Sequence, residues 1–205
     1  MNQISKKLFI VFSIFLLLTL ATGILFAEET TENITYSGKN DDVIKINNPG
    51  NKNFFLMNVI GNKQNRHFAI TGYNENNEMT DIYINTTDYY EGLRPINKET
   101  KLLEIKATGK WEITLKPTEK IIIIETPGSI KGNGDYVFKL KGNVVKANIV
   151  GNNNKRHFAV ITYDENFNMI DLAVNTTDKY EGNVMIPNES VFIEVLASGN
   201  WNISF

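Results

Sequence analysis

Two residue pairs whose side chains could bind a ligand occur twice in this sequence, with 90 positions between the copies. In each copy an arginine stands next to a histidine, and these are the only two histidines in the chain. A tyrosine likewise precedes a glutamate. A guanidinium and an imidazole can contact an anionic or sugar ligand, and the Tyr-Glu pair offers a hydroxyl and a carboxylate to a polar one. The candidate binding residues are Arg66, His67, Tyr90, Glu91, Arg156, His157, Tyr180 and Glu181.

Both pairs also have structural explanations, which the sequence leaves open. Strand alternation directs Phe68 and Ile70 toward a core, so His67 is expected on the outer face or at the start of the strand. There the Arg-His pair could simply hydrogen-bond a neighbouring loop. Tyr90 and Tyr180 each precede a Glu-Gly turn, where a tyrosine is often half buried and packs at a corner.

One oxygen-rich loop is the candidate for a metal site. Carboxylate and amide side chains alternate along it, and calcium prefers oxygen ligands of this kind. The same residue types form Asx turns, and the loop has neither the Asp-x-Asp-x-Asp-Gly core nor the closing glutamate of the common calcium-binding loop. We therefore expect no cofactor, with calcium as the alternative. The residues of this loop that could bind calcium are Asp164, Asn166, Asn168 and Asp171.

The sequence contains no recognisable catalytic motif. It lacks Gly-x-Ser-x-Gly, His-Glu-x-x-His and a phosphate-binding loop, and the absence of cysteine excludes disulfides and thiolate chemistry. A hydrolase is kept as an alternative, which would need two carboxylates within roughly 5–10 Å of each other in a cleft. The repeated carboxylates to be considered for such a pair are Asp81, Glu91, Glu104, Asp171, Glu181 and Glu194.

The paired residues belong to a long internal repeat. Residues 58–115 align with residues 148–205 without insertion, and about 26 of the 58 aligned positions are identical. Solenoid units are roughly 20–50 residues long, so a period of 90 corresponds to a whole small domain. We predict two tandem homologous domains, residues 28–116 and 117–205, with the boundary in a polar stretch around Pro117.

Each copy has the residue pattern of a β domain. Short segments rich in Val, Ile, Thr, Tyr and Phe alternate with Gly, Asn and Asp clusters, and no window has a helical apolar period. The predicted fold class is all-β, with two tandem antiparallel β-sandwiches of jelly-roll type. The strands predicted in the first copy lie around Ile34 and at 43–46, 54–60, 67–73, 81–85, 91–96, 102–107 and 111–115.

The alternation of side chains also assigns the aromatic residues to faces. Trp111 and Trp201 are in phase with apolar neighbours two and four residues further on, which predicts core positions. Tyr83 is in phase with Asn85 and opposes the two flanking isoleucines, so we expect it to reach the surface, as we do for Tyr89, Tyr90 and Tyr180.

The second part of each copy resembles a known module. The pattern Asp-φ-x-φ-Asn, Tyr-x-Gly and Ala-x-Gly-x-Trp-x-Ile, where φ is hydrophobic, runs from Asp81 to Ile113 and again from Asp171 to Ile203. It resembles a β-sandwich module common near the C-termini of secreted and lipoprotein bacterial and archaeal proteins. The resemblance implies a β-sandwich fold and a surface location, and it implies no particular activity. The Asn-Thr-Thr-Asp stretch departs from the pattern of the module.

Residues 1–27 have the composition of a signal peptide. Lys6 and Lys7 precede an apolar run over residues 8–26. A helix of that length would nearly span a ~30 Å hydrocarbon core, so an uncleaved signal-anchor is the alternative, with membrane contact through residues 8–26 alone. Both alternatives place the rest of the chain outside the cytoplasm.

Charge and location together define the expected function. The formal net charge of −2 leaves no basic surface for nucleic acid. We expect a secreted or cell-surface binding protein without catalytic activity, whose ligand is an envelope polymer, a glycan or a partner protein. The alternatives are a structural coat component that acts by self-association and an uncharacterised hydrolase.

Overall fold

The computed structural model describes residues 33–46 and 55–205, and the predicted leader lies outside them. The described chain is all-β, with seventeen strands and one 3₁₀ turn at Thr118–Lys120. No helix among these residues is long and apolar enough to cross a membrane. Residues up to 117 are called the N-terminal half below, and residues 118–205 the C-terminal half. The strands of the N-terminal half are β1 (Ile34–Lys39), β2 (Asp42–Lys45), β3 (Phe55–Gly61), β4 (Phe68–Tyr73), β5 (Met79–Thr86), β6 (Tyr90–Pro95), β7 (Leu102–Lys106) and β8 (Lys110–Pro117).

The N-terminal half folds into two antiparallel sheets. Their strand orders are β1-β8-β3-β6 and β2-β7-β4-β5. Alternate apolar side chains of both sheets meet in one hydrophobic cluster, so the sheets pack face to face. Met57 and Ile113 enter this cluster from the first sheet, and Ile70 and Ile105 enter it from the second.

The C-terminal half has the same arrangement with one additional strand. Its sheets have the orders β10-β17-β12-β15 and β14-β13-β16-β11-β9, and only β9 pairs in parallel. A second hydrophobic cluster fills the space between them, with Ile149 and Phe158 fully buried. The strands are β9 (Ile123–Glu125), β10 (Ser129–Asn133), β11 (Tyr136–Lys141), β12 (Lys146–Gly151), β13 (Phe158–Tyr163), β14 (Met169–Thr176), β15 (Tyr180–Met185), β16 (Phe192–Ala197) and β17 (Asn200–Ser204).

The predicted all-β class is confirmed, and the strand predictions agree closely with the structure. Each of the eight segments predicted in the first copy coincides with one of β1 to β8, with ends that differ by a few residues. The bounds of β4, β5 and β6 recur 90 residues later in β13, β14 and β15. The asparagine-rich segments 74–77 and 164–168 are hairpin turns between paired strands.

Both tryptophans lie in the core, as predicted. Trp111 and Trp201 are each 3% exposed. Each ring lies against a glycine of the neighbouring strand, Gly38 or Gly132, where any Cβ atom would collide with the indole. Each indole N–H donates to a backbone carbonyl at 2.9 Å, which satisfies its one polar atom.

The prediction for Tyr83 was wrong, because a β-bulge changes the alternation. Ile70 pairs with Ile84, but the next residue of β4 pairs with Ile82, so Tyr83 is the extra residue of the bulge. Tyr83 is consequently 1% exposed, whereas Ile82 is 50% exposed. Of the other tyrosines expected at the surface, Tyr89 is 46% exposed, whereas Tyr90 and Tyr180 are half-buried.

The two halves are in direct contact, and the described residues belong to one compact unit. The backbone N–H of Leu93 in β6 donates to the carbonyl of Asp135, which directly precedes β11. A third hydrophobic cluster, here called the apolar seam, joins the halves beside this bond. Its buried members are Leu56, Leu93, Ile121, Val137 and Phe192.

Candidate functional site

A cleft with a volume of about 1160 Å³ lies where the two halves meet. It is called the central cleft below. The N-terminal half contributes residues 81–94, from β5, β6 and the loop between them, and Asn58 of β3. The C-terminal half contributes residues 133–136, 156–157, 194 and 196–198 together with two side chains of β13. The cleft is therefore built from loops and strand ends on rigid sheets, the usual setting of a binding site.

The central cleft brings four of the eight candidate binding residues together. Tyr90 and Glu91 line it from the N-terminal half, and Arg156 and His157 line it from the C-terminal half. Arg156 approaches the carboxylate of Asp88 across the cleft at 3.6 Å. The other four candidates do not line the cleft, and they are Arg66, His67, Tyr180 and Glu181.

A buried asparagine holds the Arg-His loop in each half. In the C-terminal half the amide of Asn152 donates to the carbonyls of Arg156 and Asp178, at 2.6 and 2.9 Å. Asn152 has φ +58°, in the left-handed region that asparagine tolerates better than most residues. The His157 ring lies 3.2 Å from the amide oxygen of Asn175. These bonds hold the backbone at Arg156 and the ring of His157, whose partner Asn175 lies in β14 and not in a loop.

Arg94 forms the floor of the central cleft. Its Nε donates to Oε1 of Glu194 and its Nη1 donates to the carbonyl of Tyr83, both at 2.5 Å. Nη1 also lies 3.8 Å from Asp135. The Arg94 and Glu194 side chains are only 11% and 1% exposed. A buried arginine with two carboxylates from the other half is a charge-assisted link between the halves.

Burial and charge shift the pKa values of this cluster. Burial raises the pKa of Glu194, and the Arg94 guanidinium and the Tyr163 hydroxyl oppose that rise. Burial lowers the pKa of Arg94, but Glu194 and Asp135 outweigh it and raise the pKa above its ordinary value. Burial, followed by the charge of Asp135, raises the pKa of Tyr90 well above its ordinary value. Arg94 is therefore fixed in its charged form.

Two acidic groups of the cleft are not engaged by basic groups among the described residues. The Asp81 side chain forms no ion pair and no hydrogen bond there. The Glu91 side chain accepts only the hydroxyl of Tyr89, at 2.9 Å. Five carboxylates and two arginines line the cleft, a formal charge of −3 with His157 counted as neutral. The cleft is thus acidic, and it presents tyrosine rings beside its free carboxylates.

The predicted calcium loop uses its oxygens within its own turn. Oδ1 of Asp164 accepts the backbone N–H groups of Asn166 and Asn168, each at 2.8 Å, and Oδ2 accepts the amide of Asn168. These bonds lower the pKa of Asp164. Asp171 lies in β14, paired with Thr162. Within the described ranges no group of three or more His, Cys, Asp or Glu side chains could hold a metal ion.

Three of the six carboxylates considered for a hydrolase line the central cleft. They are Asp81, Glu91 and Glu194, whereas Glu104, Asp171 and Glu181 lie elsewhere. Both oxygens of Glu194 are already engaged, by Arg94 and by the Tyr163 hydroxyl at 2.6 Å.

Sequence reasoning did not single out Arg94, Asp135 or Tyr163 as site residues. Arg94 gave a signal, because position 184 of the second copy has valine where the first copy has arginine. Conversely, residues that match between the copies, such as Arg66 and His67, include the ones outside the cleft. A site between two halves is asymmetric, so some of its residues, such as Arg94, are found where the copies differ.

Comparisons with known proteins identify no family for this chain. No protein-family model matches the sequence, and no curated protein matches it significantly. One similar solved structure is a regulatory subunit of a cAMP-independent protein kinase A from Trypanosoma brucei, with a TM-score of 0.23 and 9% identity over 84% of this chain and 73% of that one. Another is a cAMP-bound PfPKA-R, with a TM-score of 0.20 and 11% identity over 81% and 71%. At these TM-scores the likeness carries no argument about fold or function.

Proposed function

We propose that this chain is an extracytoplasmic binding protein that holds a polar envelope polymer or glycan in the central cleft. In this proposal residues 1–27 are the export signal or membrane anchor. Two tandem β-sandwich domains, residues 28–116 and 117–205, supply the two walls of the site. The observation that supports the proposal most directly is the cleft itself, which has loop residues of both halves on its walls.

The composition of the cleft supports a polar ligand. Amide, hydroxyl and carboxylate groups line it next to tyrosine rings, a mixture that suits a ligand with many hydroxyl groups and some apolar faces. The formal charge of −3 favours a ligand with basic groups over an acidic polymer, because opposite charges attract across the site. Bound ligand should then be released more easily as salt concentration rises.

A strand-adding peptide fits this cleft less well than a glycan. β5 and β6 are both edge strands on the N-terminal wall, and the pairing of β5 with β4 has two register shifts within six residues. Bulges of this kind twist an edge strand and interrupt its row of backbone groups, which hinders the addition of another strand. Recognition by side chains is therefore the better-supported mode.

A pull-down of the exported chain on washed envelope from the producing cell tests the proposal. We expect saturable retention, with loss of most of it in the Thr87→Trp variant, because Thr87 is exposed and lines the cleft. Thr177→Trp is the matched control. It places the same side chain in the same Asn-Thr-Thr-Asp motif, and Thr177 is exposed but lies outside the cleft.

Three outcomes would count against the proposal. Equal retention of the two tryptophan variants would place the binding surface elsewhere. Loss of retention in EDTA would indicate a metal and return attention to the loop that starts at Asp164. No retention of the wild-type chain, combined with a monomeric profile on a sizing column, would remove envelope binding altogether.

A further inference from the structure

We infer that Arg94 is a positioning residue that sets the width of the central cleft by joining its two walls, with Glu194 as its partner. The consequence for ligand affinity rests on the proposed function, whereas the mechanical role is tested independently of any ligand. The contacts of one side chain carry the inference. Arg94 bonds to β5 on the N-terminal wall and to β16 on the C-terminal wall at the same time.

The shape of the guanidinium group makes this link rigid. Nη1 bonds the backbone of Tyr83, which cannot rotate away, and Nε bonds the carboxylate of Glu194. Because the donors of an arginine lie in one plane at fixed angles, two bonds from the same fork fix the separation of their acceptors. A lysine in this place would offer a single ammonium group and could not fix both walls equally well.

Neighbouring hydrogen bonds hold the acceptors in place. Oε2 of Glu194 accepts the Tyr163 hydroxyl at 2.6 Å, so the carboxylate is bound on both oxygens. Asp135, 3.8 Å from Arg94, accepts the Tyr90 hydroxyl at 2.7 Å. The carboxylates of Glu194 and Asp135 are thus held in place by hydrogen bonds of their own. A buried charge pair can position a site when its partners are fixed in this way.

The order of contacts along β16 places this link between the apolar seam and the cleft. Along that strand, Phe192 belongs to the seam, Glu194 bonds Arg94, and Leu196 lines the cleft. Along β6, Tyr90 lines the cleft, Leu93 belongs to both the cleft and the seam, and Arg94 follows before a proline paired with Leu56 of the seam. Loss of the link would therefore leave the halves joined at the seam and free the walls at the cleft.

The corresponding place in the N-terminal half shows what the arginine adds. Tyr73 donates to Glu104 at 3.0 Å, the same bond that Tyr163 makes with Glu194. No arginine joins this pair among the described residues, and Glu104 is bound by Lys106 of its own half. The Tyr-Glu bond is thus common to both halves, and only the arginine makes the pair a link between them.

Two variants of the full chain, purified from cells that express the complete sequence, test the inference. The double variant Arg94→Met/Glu194→Met removes both charges together, which is often neutral for stability, and Arg94→Lys keeps the charge without the fork. Hydrogen–deuterium exchange is measured on peptides covering residues 81–89 and 133–136, which lie on opposite walls. Glu104→Gln is the control, because it changes the equivalent glutamate away from the cleft.

We expect faster exchange on both walls in the double variant, by roughly tenfold or more, with an unchanged urea midpoint and unchanged exchange in the seam strand β3. Arg94→Lys should be intermediate, and Glu104→Gln should match the wild type on both walls. Retention on washed envelope should weaken by about tenfold in the double variant, the loss expected for one or two misplaced polar contacts.

Wild-type exchange on both walls in the double variant would overturn the inference. Faster exchange spread evenly over β3 and the walls would overturn it as well, because it would mean general loosening of the contact. If the wild-type chain does not bind envelope, the proposed function fails while the exchange result still decides the role of Arg94. If exchange changes and affinity does not, the ligand lies outside the cleft.

Discussion

At the scale of single residues, equivalent glutamates have different environments in the two halves. Glu194 is 1% exposed and faces the Arg94 guanidinium, whereas Glu104 is 31% exposed and faces the Lys106 ammonium near the surface. A buried ion pair costs desolvation energy that only good geometry repays, and an exposed pair costs and contributes little. The two sites therefore provide a comparison of burial within one molecule.

Glu194→Gln is expected to destabilise the protein strongly. It leaves the Arg94 charge buried without its closest anion, for which losses of roughly 3–5 kcal/mol in the free energy of unfolding are typical. Glu104→Gln should have a far smaller effect, because water screens Lys106 and can solvate it. Urea unfolding of both variants measures the difference. Similar losses in the two variants would contradict the assignment of Glu194 to a buried link.

Buried tyrosines predict a loss of stability at alkaline pH. Burial is the largest cause of the raised pKa values of Tyr83, Tyr90 and Tyr163. Above pH 10.0, their ordinary value, these phenols ionise more readily in the unfolded chain than in the folded one. Protons then leave on unfolding, so the free energy of unfolding should fall by up to about 1.4 kcal/mol per pH unit for each tyrosine.

Urea unfolding between pH 9 and 11.5, with tyrosinate absorbance recorded in parallel, checks this expectation. The Tyr163→Phe variant should lower the slope by the contribution of one group, whereas Tyr89→Phe, at an exposed position, should leave most of the slope intact. Stability that does not change with pH over this range would show that the three phenols are accessible to water.

At the scale of elements, Asn40 and Gly134 occupy equivalent turns with unequal surroundings. Each carbonyl accepts a tryptophan N–H at 2.9 Å, and each residue has a positive φ, 67° and 75°. Only Gly134 faces the other half, where an added Cβ would lie 2.9 Å from the carbonyl oxygen of Glu91. The contact between the halves, and not the turn itself, thus requires glycine there.

Gly134→Asn should consequently destabilise the contact between the halves. The left-handed φ suits asparagine, so the expected loss of roughly 1–3 kcal/mol comes from displacement of the Glu91 backbone. The reciprocal change Asn40→Gly should alter stability by only a few tenths of a kcal/mol. Urea midpoints of both variants provide the measurement. An unchanged urea midpoint in Gly134→Asn would mean that the Glu91 backbone can move away from the new side chain without loss of stability.

The elements also show what could and could not be predicted from the sequence. Strand positions and the core tryptophans follow from alternation, which is local. Tyr83 was placed on the wrong face because a bulge is a property of the pairing between β4 and β5, which alternation within one strand does not report. Arg94 and Asp135 were not predicted as site residues for a related reason. Their contact depends on how the two halves pack against each other, which the sequence of either half does not report.

At the scale of the whole molecule, the two halves present different surfaces at equivalent places. The edge strand β6 contacts the C-terminal half through Leu93 and Arg94, but its counterpart β15 has Asn183 and Val184 there. The C-terminal wall of the cleft has Leu196, and the corresponding position in the N-terminal half is Lys106. The free copies of the contact thus lack the counterparts of Leu93, Arg94 and Leu196, although Val43 and Leu102 remain apolar where the C-terminal half has Val137 and Phe192.

We therefore expect the chain to be monomeric, with no head-to-tail continuation of the contact between its halves. Sedimentation velocity up to about 100 μM would show a single species, because such a contact would lack the counterparts of Leu93, Leu196 and Arg94 at its centre. Restoring that core in Asn183→Leu/Val184→Arg should produce concentration-dependent assembly, in which the new arginine of one molecule meets Glu104 of the next. Such a contact is heterologous and would give open chains instead of closed dimers. Adding Glu104→Gln to this variant should weaken its assembly. A wild-type chain that already assembles would contradict the expectation and favour a structural coat component over a binding protein.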